Sequence, residues 1–203
     1  MPLSFDRCGF PLVALPHLWL EVQLLPVTKV QFERFLAEAG TWGSGRYEDL
    51  LRLLPASPYD AFADAEREGL FLGGVLPEEA LHYARWLGEG YDLPTVEEWR
   101  QAALALAGRP APTAEELAAW PAGPARTIVE QLLVQLPART LLNLSLMRGG
   151  LVEWVREGAG WAGLGAPRPA FKEHLWDPFH DVIRPVRPGE RVRYVGFRLV
   201  HRL

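Results

Sequence analysis

Apolar residues recur at helical spacing in three stretches of the N-terminal half. After Thr28, the positions Phe32, Phe35, Leu36 and Ala39 fall on one face, Thr28 and Gln31 have the spacing of a reciprocal capping box, and Gly40 supplies a stop. Pro77 suits the first turn of a second helix, which sets Ala80, Tyr83, Ala84 and Leu87 on one side before Gly88. A third helix starts at another capping box, Thr95 with Glu98, and buries Trp99, Ala102, Ala103 and Leu106 before Gly108. Two weaker helices are expected near residues 113–120 and 127–136, where Glu116 and Glu130 again stand three residues after a threonine. From Arg139 onward the pattern changes to short strands between glycines and prolines. Residues 151–155 and 192–200 read as strands, and residues 18–24 as a third that pairs with the last. Between the first two, residues 158–190 read as one long loop dense in Gly, Pro, Trp and charge. Loops of that length are uncommon in compact domains and are often functional.

Four blocks, taken in order, resemble the formylglycine-generating-enzyme, or sulfatase-modifying factor, family. The first is Pro26-Val27-Thr28 with Gln31, Phe32 and Phe35. The second joins Glu79, Ala80, Tyr83, Trp86 and Leu87 to Leu93-Pro94-Thr95 with Glu98, Trp99, Ala102 and Ala103. The third, from Asn143 through Met147 and Gly149 to Glu153-Trp154, is similar to the family's core, and Gly196-Phe197-Arg198-Leu199-Val200 is similar to its terminal strand. The resemblance implies an α+β, C-type-lectin-like fold. It implies one domain across residues 1–203, with helices in the N-terminal half and short antiparallel strands in the C-terminal half.

The resemblance also says what chemistry to look for. Active formylglycine generators hold copper and oxidise thiols with two cysteines just before the terminal block, because a soft thiolate pair suits Cu(I). Here no cysteine lies between Trp176 and Gly196, and the single cysteine, Cys8, sits at the opposite end, where a lone thiol reads as a small buried hydrophobe. Related sulfoxide synthases take iron on histidines of an added helical domain, for which the 203 residues leave no room. Leu146 and Gly150 replace an aspartate and an asparagine of the family's core, which removes two oxygen donors of a calcium site. The expectation is a scaffold without this chemistry, carrying no cofactor, no metal and no formylglycine-generating activity. A cousin of the same fold, the variable protein of diversity-generating retroelements, ends in a similar strand, and Arg148-Gly149-Gly150 partly echoes another of its blocks.

Composition narrows the partners. With 49% hydrophobic and 23% charged residues the chain is globular, and its net charge of −4 gives no basic footprint for nucleic acid. One cysteine excludes an internal disulfide and fits a reducing compartment. Prolines, Asp6 and Arg7 interrupt the N-terminal apolar stretch, so it does not read as a signal peptide, and no apolar run reaches the roughly 18 residues of a membrane span. A cytoplasmic protein with no membrane partner is expected. Asparagine occurs only at Asn143 and lysine only at Lys29 and Lys172, which fits a thermophilic source or, for the arginine bias, genomic base composition.

The candidate binding segment is residues 158–193. It gathers Trp161, Lys172, His174, Trp176, Asp177, His180, Arg184, Arg187 and Arg193, and tryptophan and arginine give the largest contact energies at recognition surfaces. The functional expectation is a non-catalytic scaffold that holds a protein or small ligand there. The alternative is a divergent metal-dependent oxygenase using His174, Asp177 and His180, a trio that needs convergence to bind metal. His17, His82 and His201 stand in no such group and read as structural residues.

Overall fold

The computed structural model describes residues 3–39, 70–136, 138–147, 151–165, 177–180, 183–186 and 189–203. Three N-terminal strands come first, β1 (Ser4–Phe5), β2 (Pro11–Leu15) and β3 (Leu20–Gln23), followed by α1 (Lys29–Ala39), α2 (Pro77–Leu87), β4 (Tyr91–Asp92) and α3 (Val96–Ala107). Then come α4 (Ala114–Ala118), α5 (Pro124–Gln135), α6 (Leu141–Ser145), the hairpin β5 (Val152–Glu157) and β6 (Gly160–Leu164), and the short strands β7 (Arg184–Pro185), β8 (Val195–Gly196) and β9 (Val200–Arg202). The class is α+β.

The expected helix signals act where they stand. Thr28 N donates to Gln31 Oε1 at 2.9 Å and Gln31 N to Thr28 Oγ1 at 3.3 Å, closing the box that starts α1. Thr95 and Glu98 do the same for α3, at 2.7 and 3.1 Å. The apolar faces of α1, α2 and α3 are buried at Phe32, Phe35, Ala80, Tyr83, Trp99 and Leu106. Gly40 lies outside the described residues. Within residues 113–120, Ala114–Ala118 form α4 behind a Thr113 cap. The helix expected from residue 127 begins earlier, at Pro124, because a proline at the first helical position lacks only an N–H that would go unbonded there.

The strands depart further from expectation. They occur at both ends of the chain, and β1, β2, β3, β9 and β4 form one antiparallel sheet in the order β1-β2-β3-β9-β4. Val13, Val22 and Val200 lie side by side in it, so the final strand does close on the N-terminal one. The strand expected over residues 18–24 starts only at Leu20, because residue 18 ends a 3-10 turn over Pro16–Leu18, after which Trp19 takes a left-handed backbone at φ 54°. The second sheet, β7-β6-β5-β8, contains a parallel pairing, β5 with β8. Residues 192–200 are therefore two strands in two sheets. Between them the backbone bonds elsewhere, since Val27 N donates to Phe197 O and Gln23 N to Leu199 O, at 2.8 and 3.0 Å. Gly196 permits the crossing, because a Cβ there would stand 2.6 Å from the Leu72 carbonyl oxygen. Residues 160–164, expected in the loop, are β6.

Two apolar clusters sit against these sheets. One packs β2 and β3 against α3, α5 and α6 through Leu15, Val22, Trp99, Leu106, Val129 and Leu144. The other packs α1 and α2 around Trp154 and Phe197, with the Tyr83 ring edge-on to Phe197 at 5.7 Å.

Candidate functional site

The frame of the site is set by a buried ion pair where the two sheets meet. Arg198 and Glu153 are both fully buried, and Arg198 Nε and Nη2 grip the two carboxylate oxygens at 2.6 Å each. The remaining donors reach Gln23 O and Leu24 O through Nη1, at 3.0 and 2.9 Å, and Ser145 O through Nη2, at 2.6 Å. All five guanidinium N–H groups are thereby used. Trp99 Nε1 adds a bond to Glu153 Oε2 at 2.9 Å, so α3, α6, β3 and β5 are tied to one point. Such a carboxylate is committed to holding the framework, and the buried Leu146 brings no oxygen-bearing side chain, so the donors described here do not fit calcium.

Outward from this frame, β5 and β6 carry the first of the expected binding residues. Arg156 and Trp161 are cross-strand partners, and the Arg156 guanidinium lies 4.8 Å above the indole ring. Arg156 Nη2 also meets Asp92 Oδ1 at 2.6 Å, and Arg202 bridges Asp92 and Glu98 at 3.2 and 3.0 Å. Arg156 N donates to Pro94 O at 2.8 Å, which fixes the hairpin to the start of α3. One turn along α3, Arg100 Nε donates to Pro178 O at 3.1 Å and the guanidinium stands over the Phe179 ring at 5.9 Å. The start of α3 thus joins Trp161 on one side to the 177–180 turn on the other.

The other expected residues are placed unevenly. Asp177 Oδ2 and His180 Nδ1 meet at 2.8 Å on that turn, where the imidazole is 86% exposed. The Phe179 N–H, bonded to Asp177 Oδ1, holds this carboxyl below its ordinary range. Arg184, on β7, donates from Nη2 to Gly165 O at 3.1 Å, and Arg193 is exposed. Lys172, His174, Trp176 and Arg187 lie outside the described residues. Sequence reasoning missed Arg156, Arg100, Asp92, Glu98 and Arg202. A signal existed for Arg156, because Glu157-Gly158-Ala159-Gly160 is a hairpin turn that sets it opposite Trp161.

The chain has a single thiol. Cys8 lies in the turn between β1 and β2, beside the buried Tyr83, and burial pushes its thiol up to about 11. Among the described residues no group of three or more His, Cys, Asp or Glu could hold a metal ion. A copper centre of two thiolates does not fit a chain with one cysteine placed this way. Of the other histidines, His201 is stacked on Tyr91 at 4.6 Å and meets Glu21 Oε2 at 3.2 Å, a structural arrangement. No described helix is long and apolar enough to cross a membrane.

Compared with known proteins, residues 15–132 match the family described as the sulfatase-modifying factor enzyme 1-like domain. The match runs from the end of β2 into α5 and takes in the capped helices α1, α2 and α3. The Glu153-Trp154 and Gly196-Phe197-Arg198 blocks lie beyond it. No curated protein matches the chain.

Proposed function

This chain belongs to the sulfatase-modifying factor enzyme 1-like family, and we propose that it is a non-catalytic member: a single C-type-lectin-like domain that binds a protein or small ligand. The binding face is built on β5, β6, the start of α3 and the C-terminal segment. The observation that carries this reading is the Arg156–Trp161 pair on a hairpin pinned by backbone bonds to a buried framework. Rigid elements that present an indole and a guanidinium, the guanidinium paired to Asp92 and through it to Arg202 and Glu98, supply contact energy and orientation without a reactive group. Trp161, Asp177, His180, Arg184 and Arg193 belong to this face, and Lys172, His174, Trp176 and Arg187 extend it in sequence. The placement of Cys8 supports the absence of thiol oxidation chemistry, and the acidic balance supports a partner other than nucleic acid.

The test compares wild type with Trp161→Ala and Arg156→Ala in quantitative pull-downs from the source cell, with melting curves on the same preparations. A partner enriched by wild type and lost from both variants, with melting preserved, supports the reading. Variants that retain the partner, or that simply unfold, refute it. The Asp177–His180 pair favours a second reading, a metal-dependent oxygenase completed by His174. Elemental analysis of protein purified without chelator separates the two, since stoichiometric iron or copper belongs only to the second.

A further inference from the structure

A cleft of about 590 Å3 opens between β1 and the segment that carries α4. Leu3, Phe5, Pro112, Trp120 and Leu141 line it, so its walls are largely apolar. The volume lies within the roughly 300–1,000 Å3 of small-molecule sites. Phe5 and Trp120 meet edge to face, with ring centres 5.7 Å apart and planes at 71°. Both rings line the cleft, and an aromatic guest can pack against them in the offset-stacked or edge-to-face arrangements such rings prefer.

The walls are held in place by bonds that do not involve a ligand. Ala111 N donates to Arg139 O at 3.0 Å and Leu141 N to Arg109 O at 2.9 Å, which laces residues 109–111 to residues 139–141. Arg109 Nη2 reaches across to Ala14 O on β2 at 2.7 Å. Thr113 and Glu116 close a capping box at 2.8 and 3.2 Å, so the Glu116 carboxylate is folded back onto the start of α4. Pro110 and Pro112 stiffen the rim. A cleft held this way loses little freedom when filled.

We infer that this cleft is a binding site for a small, largely apolar aromatic molecule of two or three rings. The site is separate from the Arg156–Trp161 face and stands or falls without it. The probe is N-phenyl-1-naphthylamine, a neutral dye that fluoresces in apolar surroundings, titrated into the full chain. Ala119 lines the cleft, is exposed and has helical backbone at the end of α4, so a larger side chain there fills the space without entering the core. Wild type should bind one dye saturably. Ala119→Phe should bind it about tenfold or more weakly, a difference of one decade in Kd, while Ala119→Ser binds as wild type. Leu3→Phe fills the cleft from the residue just before β1 and gives the same reading if Ala119→Phe fails to fold. Absence of saturable emission from wild type overturns the inference. So does equal emission from a folded filled variant.

Discussion

Replacing Arg198 by Met tests whether the framework rests on one buried charge pair. The variant keeps a long unbranched side chain but removes all five N–H groups. Glu153 is left fully buried with only the Trp99 N–H, and the carbonyls of Gln23, Leu24 and Ser145 lose their donors. Stranding one member of a buried pair costs about 3–5 kcal/mol. For a domain of this size each kcal/mol moves the midpoint by about 2–4 °C, so Arg198→Met should melt roughly 6–20 °C lower. The double variant Arg198→Met/Glu153→Leu removes the stranded charge as well. What remains is an unbonded Trp99 N–H and the carbonyls, and the double should melt no lower than the single. Thermal unfolding of the two variants beside wild type, followed by circular dichroism, measures both effects. A single variant melting within about 2 °C of wild type, against the shift expected from stranding a buried charge, refutes the reasoning. Strictly additive losses in the double do so as well.

With its thiol held near 11, Cys8 should be almost wholly protonated at neutral pH and react with iodoacetamide on the order of a hundredfold more slowly in the folded protein than in urea. Mass spectrometry of the alkylated fraction checks this, and comparable rates in the two states count against the burial argument. A sulfatase-type cysteine peptide incubated with the protein and copper should stay unoxidised, because no thiol pair is present, and a peptide mass showing formylglycine overturns the non-catalytic reading.

The helices were legible because their signals are local. A threonine followed three residues later by Glu or Gln needs no partner from elsewhere in the chain, and the boxes at Thr28, Thr95 and Thr113 all close as spaced. The strands were not, because what shapes them is remote. Residues 192–200 look continuous until Arg198 finds Glu153, 45 positions earlier, and the backbone of residues 197–199 turns to Gln23 and Val27. In β6 the glycines hid the strand. Gly163 dilutes the apolar alternation of Trp161, Ala162 and Leu164, yet it is a packing requirement, since a Cβ there would meet Val152 Cγ1 at 2.5 Å. In β2 the flanking Pro11 and Pro16 masked the run of Leu12, Val13 and Leu15 that the sheet buries.

The candidate site was legible in composition but not in assembly. Trp161 stood out as an aromatic residue in a charged segment, whereas the residues around it come from β4, α3, β5 and β9 and are brought together only by the register of two sheets. Their charges differ in role from the buried pair. Arg156, Asp92 and Arg202 keep side-chain exposures of 37, 27 and 39%, and pairs of that kind contribute about 0–1 kcal/mol each. They therefore do little to hold the fold, which Arg198 and Glu153 hold from within. Carried beside an indole on a fixed hairpin, such weakly committed charges can exchange one another for a ligand's charges at small cost. That difference, between a pair that cannot be broken and a line of pairs that can, supports binding on this face of the chain.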